Sequence, residues 1–161
     1  MRIILTLLLL FGECVCAHAF ELLDFDGIFI SSGVTLGKSG KNPYIGGEAS
    51  VFSANSIFYA GMNADCGYQA VQKSERIIIG PEVGVLIFGI DGGFLEMREK
   101  KRVMYGYAFR PYLTLPLPGL FVDKGMMFNI YYRRNAWRDG GKWRMENEGG
   151  IQIKCALLVS R

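Results

Sequence analysis

Histidine is almost missing from this chain: there is one, His18, in 161 residues. Its scarcity removes the usual proton shuttle at neutral pH, and with it most serine- and cysteine-based hydrolytic arrangements. Cysteine is scarce too. Cys14, Cys16, Cys66 and Cys155 have neither the number nor the spacing of a disulfide scaffold or a metal site. The apolar run Ile3–Phe11 is far short of the roughly 20 residues a membrane-spanning helix needs. No heptad, low-complexity tract or helical period of useful length is present, which excludes coiled coils and helical bundles.

The first residues read as a targeting segment. Arg2 precedes the apolar run, and Ala17-His18-Ala19 places small residues at the two positions a signal peptidase reads. This predicts a secretory signal peptide over residues 1–19 and a mature chain from Phe20, a single domain over 20–161. Glu13 and Val15 stand before Cys14 and Cys16, where a lipoprotein signal wants a small residue. Removal of the signal takes His18 with it, so the mature chain holds no histidine and only Cys66 and Cys155.

What the chain has in abundance is alternation. The stretch Ser74–Met97 is apolar, β-branched and punctuated by glycine, with one short turn near Leu86–Gly89. Before the turn, Ile77, Ile79, Val83 and Val85 share one face, against Arg76, Gly80, Glu82 and Gly84 on the other; after it, Ile90 and Phe94 oppose Asp91 and Gly93. A period of two is the signature of a strand. The same pattern recurs over Gly27–Leu36, Tyr44–Ser53, Ile57–Tyr68, Arg102–Leu115, Met126–Arg133 and Trp143–Leu158, giving eight strands with loops at Pro116–Gly125 and Asn135–Lys142. Regularly spaced strands with turn signals and frequent internal glycine predict an all-β fold, a closed eight-stranded antiparallel up-and-down β-barrel.

The chemistry of the two faces bears on the solvent. In a soluble calyx the apolar face lines a cavity; in a membrane barrel it meets lipid, and the narrow lumen holds small and polar side chains. Here the polar face is rich in Gly, Ser and Ala, poor choices for a wet strand surface but suited to a crowded interior. The apolar face carries Phe58, Tyr68, Phe94, Tyr105, Tyr107, Phe109, Phe128 and Tyr132, several near strand ends where interfacial girdles form. On this pattern the chain resembles the small eight-stranded bacterial outer-membrane β-barrels of the OmpX and OmpA membrane-domain type. The resemblance spans the mature chain and rests on pattern rather than on a signature motif. It implies location in the outer membrane. Family members usually end in an aromatic residue, whereas this chain ends Leu157-Leu158-Val159-Ser160-Arg161.

Two groups of residues are candidates for function. Glu48, Asp65, Glu82, Asp91, Arg110, Glu148 and Lys154 fall on the inward face, with Glu82 and Asp91 neighbours across one hairpin and Arg110 within reach of either. Carboxylates so close cannot all ionise without compensating cations, which predicts a salt-bridged plug. The second group is an outer basic rim of Lys38, Lys41, Lys73, Lys100, Lys101, Arg102, Arg134, Arg138 and Lys142, with Arg76, Arg98, Arg133 and Arg144 flanking the same breaks. That makes thirteen basic side chains against Glu75, Glu96, Glu99 and Asp139, a charge suited to lipopolysaccharide phosphates. The opposite end carries Glu21, Asp24, Asp26 and Asp123 against Lys124 and Arg161.

These observations predict a non-catalytic, monomeric outer-membrane barrel with a plugged lumen and basic outer loops. Its partner would be membrane lipid, with no cofactor, no metal and no nucleic acid. Cys66 and Cys155 are expected as free, lipid-facing thiols. The alternative is a secreted soluble barrel holding a lipid or other apolar ligand, in which Ile79, Val83, Phe109 and Ile130 would point inward. A third reading is a narrow conductance through the Glu82–Asp91–Arg110 layer.

Overall fold

A computed structural model describes residues 27–55, 57–85, 87–116 and 124–160. Eight strands run in chain order: β1 (Gly27–Ser39), β2 (Asn42–Ala54), β3 (Phe58–Gln69), β4 (Ser74–Val85), β5 (Phe88–Glu99), β6 (Arg102–Pro116), β7 (Lys124–Asp139) and β8 (Lys142–Ser160). Each pairs antiparallel with its neighbours, and β1 also pairs with β8, so the sheet closes into an up-and-down barrel without an edge. The strands are steeply staggered. Pairing followed once round from Gly33 passes through Glu48, Asp65, Ile78, Leu95, Gly106 and Trp137 to Arg144. Gly33 itself pairs with Lys154, ten residues further along β8. Tilt of this kind gives eight strands an interior that side chains can fill.

The connections at one end, called here the rim end, are tight turns: Gly40-Lys41, residues 70–73, Lys100-Lys101 and Gly140-Gly141. Gly40 and Gly140 take φ of 56° and 57°, the left-handed conformation that two-residue hairpins demand. Lys73 and Lys100 adopt it as well, at φ 52° and 56°. The basic outer loops expected from the sequence are short turns. The expected signal peptide, the acidic residues of the opposite end and residues 117–123 of the Pro116–Gly125 connector lie outside the described residues.

Polarity changes along the barrel axis. Over most of its height the wall is apolar: Ile79, Val83, Phe109 and Ile130 all point outward and are about half exposed. Inside the same zone the side chains are Ser, Thr, Asn, Gln and charged groups, together with Phe29 and the tyrosines Tyr44, Tyr112 and Tyr131. Toward the rim end the assignment inverts. Ile78, Leu95, Met97, Met104, Ala108 and Trp137 form a buried apolar cluster inside, while Arg98, Arg134 and Arg138 face out. This inversion explains why one stretch differs from the sequence expectation. Asn135–Lys142, expected as a loop, continues β7 to Asp139 and opens β8 at Lys142. There Trp137 turns inward and Arg134 and Arg138 outward, which breaks the apolar-out pattern without breaking the strand.

Candidate functional site

The inward face of every strand is set by the period of two, and the barrel's closure brings those faces together. Glu48, Asp65, Glu82, Asp91, Arg110, Glu148 and Lys154 all lie inside and are buried. Arg76 and Arg133 join them. Counted with the rim in the sequence, both are within the lumen at 3% and 1% exposure, because parity places them on the inward face of β4 and β7. Four cations thus meet five carboxylates.

Their bonds run across the lumen as well as around its wall. Arg110 of β6 donates from Nε to Asp91 Oδ2 at 2.7 Å, from Nη1 to Asp65 Oδ2 at 3.3 Å, and from Nη2 to Glu48 on the opposite side. It makes no bond to Glu82. Arg133 of β7 grips Asp65 of β3 with both Nη atoms, at 2.7 and 3.3 Å. Arg76 of β4 pairs with Glu148 of β8, Nη2 to Oε1 at 2.8 Å, and Lys154 of β8 returns to Glu82 of β4 at 3.0 Å while also pairing with Glu48. In an eight-stranded ring, strands four apart are diametrically opposed, so the ion pairs brace β2 against β6, β3 against β7 and β4 against β8. Glu82 and Asp91 are cross-strand neighbours in register, yet each is held by a different cation.

Four tyrosines complete the network, and residue type alone hides them because a tyrosine counts as apolar. Tyr44 donates to Asp65 Oδ1 at 2.7 Å, with the Arg76 guanidinium 3.6 Å over its ring. Tyr131 donates to Glu148 at 2.6 Å, Tyr112 to Glu82, and Tyr59 to the Tyr112 hydroxyl at 2.7 Å. Parity would have found them: Tyr131 sits between Asn129 and Arg133 on the inward face, and Tyr112 follows Arg110 by two. Inward glycines make room for the rings. Any Cβ at Gly67 would run into Tyr44, and at Gly84 into Tyr59. A neutral layer lies alongside, where Asn129 bonds Gln152 at 2.9 Å, Gln152 bonds Thr35 at 3.0 Å, and Ser31 and Ser50 bond each other at 2.7 Å.

Apolar groups flank this network along the barrel axis. The apolar cluster around Trp137 and Leu95 lies toward the rim, with Gln69 bonding Glu146 across β3 and β8 at 3.4 Å. Away from the rim, Phe29 stacks on Phe52 at 5.5 Å and Phe52 meets Tyr59 edge-on at 5.9 Å. Each of the five network carboxylates is engaged by a cation; of the buried serines, Ser31 and Ser50 bond each other, Ser74 bonds Gln69 and Ser39 bonds the Asn147 carbonyl. Among the described residues, no group of three or more His, Cys, Asp or Glu side chains is placed to hold a metal ion.

Outside, Lys38, Lys41, Lys73, Lys100, Lys101, Arg102, Arg134, Arg138 and Lys142 are all exposed at the rim end, on turns and on the strand ends beside them. Some of the neighbouring charge is internally paired: Arg98 with Glu96 at 2.6 Å, Arg144 with Asp139 at 2.9 Å, and Arg102 with Asp139 at 3.9 Å. Tyr68, Tyr105, Tyr107 and Trp143 stand among these cations, with Phe94 stacked on Tyr105 at 5.5 Å. Cys66 and Cys155 are free and exposed on the apolar wall. No family model, curated protein or solved structure matches this chain, so its architecture rests on the strand pairing itself.

Proposed function

We propose that the chain is a non-catalytic bacterial outer-membrane β-barrel, a monomer related in kind to the small OmpX- and OmpA-type barrels, and that its basic rim engages lipid phosphates of the outer leaflet. The observation that carries this reading is the polarity inversion along the axis. Where the wall is apolar the lumen is charged, and toward the rim, where lysines and arginines turn outward, an apolar cluster around Leu95 and Trp137 packs inside. An aqueous protein gains nothing from an exposed belt of Ile, Val, Phe and Leu around a costly ionic interior, whereas a bilayer makes that belt the favourable surface. Tyrosine and tryptophan at the transition, followed by lysine and arginine, match the sequence of environments from acyl chain to headgroup.

A soluble carrier needs an apolar cavity, and this interior is filled by ion pairs and tyrosines. The test is gel mobility of the chain folded in detergent, with and without boiling. A compact, faster band that boiling abolishes supports the membrane barrel. Folding in plain buffer with no mobility shift would overturn it and turn attention to a soluble carrier.

A further inference from the structure

The exposed arginines of the rim are not equivalent. Arg98, Arg102 and Arg144 each have a carboxylate partner, in Glu96 or Asp139. Arg134 and Arg138 have none among the described residues; Arg134 only donates to the Met145 sulfur at 3.1 Å. Both point outward from β7 at the level where the apolar wall gives way to charge. They are four residues apart on one strand, which separates them by about 13 Å.

The register builds a notch around them. Ala136, the small residue between the two arginines, is flanked by Tyr107 of β6 and Met145 of β8. Arg138 is level with Trp143, and Arg134 with Phe109. Larger side chains therefore wall a shallow depression that has a cation at each end and no acid facing outward within it. Below Arg134, Ile130 and Ile151 pair in register on the apolar wall.

We propose that this outer face of β6–β8 seats a membrane lipid bearing two phosphates on a disaccharide, the chemistry of the lipid anchor of lipopolysaccharide. The inference rests on the outer-membrane reading above and names the site for its phosphates. Each arginine takes one phosphate through paired N–H donors, a fork geometry that lysine on the turns does not offer. The sugar lies over Ala136 between Tyr107 and Met145, and acyl chains run down the Ile130–Ile151 track. A lipid with a single phosphate satisfies only one end.

The test uses the full chain folded in detergent and titrated with three probes: lipid A bearing two phosphates, its one-phosphate form, and phosphatidylglycerol, with retention read by native mass spectrometry. The unaltered chain should favour the two-phosphate form over the other two by about tenfold or more. The Arg134→Gln/Arg138→Gln pair should lose that preference, and the Arg134→Lys/Arg138→Lys pair should keep part of it. Lys100→Gln/Lys101→Gln, on a turn outside the notch, should leave it intact. Heat-modifiable gel mobility checks that each variant is folded. If the turn variant loses the preference and the arginine variant keeps it, the phosphate-binding rim stands and this site falls. If the unaltered chain does not distinguish the three lipids, the two-phosphate site is overturned. If it retains none of them, phosphate recognition by the rim falls with it.

Discussion

Substituting Asp65 by Asn should be strongly damaging, although it alters few atoms. Asp65 accepts from Tyr44, from both Nη atoms of Arg133 and from Arg110. Arg110 keeps Asp91 and Glu48 when the charge is removed. Arg133 does not fare so well: its remaining acid is Glu148 at 3.6 Å, already held by Arg76 and Tyr131. Removing one partner of a buried pair costs about 3–5 kcal/mol because the other charge stays buried and uncompensated. The Asn oxygen still accepts one neutral hydrogen bond, which returns about 1 kcal/mol and leaves a loss of about 2–4 kcal/mol. Against a total stability of about 5–15 kcal/mol, that is readily measured. Arg133→Met removes the stranded charge at similar volume, so the double variant should lose no more than Asp65→Asn alone, with a coupling of about 1.5 kcal/mol or more. Urea titration of the barrel in phospholipid vesicles, followed by tryptophan fluorescence and by gel mobility, supplies all three values. An Asp65→Asn loss under about 1 kcal/mol, or strict additivity in the double variant, would refute the cross-lumen bracing.

Other outcomes follow from the same geometry. Gly67→Ala should destabilise by about 1–3 kcal/mol, since Tyr44 is pinned by Asp65 and Arg76 and cannot yield to the new methyl group. Gly47→Ala faces outward with nothing nearer than 3.8 Å, so urea midpoints should show it neutral or slightly stabilising. Val83→Arg on the apolar wall should cost about 2–4 kcal/mol in vesicles, whereas Val103→Arg near the rim should stay within about 0.5 kcal/mol. Planar bilayers containing the chain should show no single-channel current, and Arg110→Ala should not open one, because the remaining cross-lumen ion pairs, the tyrosines and the apolar cluster still occupy the interior. A steady current in the unaltered chain would contradict the plug.

The barrel was legible because its central zone obeys one rule, apolar out and polar in, and that rule assigns Glu48, Asp65, Glu82, Asp91, Arg110, Glu148 and Lys154 to the inside by parity alone. The rule stops holding where the surroundings change. Beyond the apolar wall, Leu95, Met97 and Trp137 pack inside and the arginines turn out, so β7 looks from sequence as though it ends at Arg133. Arg76 and Arg133 lie near that boundary, where a basic residue reads by type as either rim or lumen; parity with Glu82 and with Asn129 places them in the lumen. The choice of Asp91 over Glu82 by Arg110 is likewise beyond local sequence, since barrel tilt, a property of all eight registers together, sets which carboxylate each guanidinium reaches. The tyrosine hydroxyls were hidden by composition, which counts tyrosine among apolar residues whatever its oxygen does.

The polarity inversion is tested most directly with the protein's own thiols. Cys66 and Cys155 both lie exposed on the apolar wall, so replacing one or the other by alanine leaves a single site for a nitroxide label. A third label goes on Arg138→Cys in the chain lacking both native thiols. Collision rates with dissolved oxygen and with a water-soluble nickel chelate are then measured in phospholipid vesicles. The account predicts oxygen access with shielding from nickel at 66 and 155, and the reverse at 138. Equal nickel access at all three positions would place the apolar wall in water and contradict the membrane barrel.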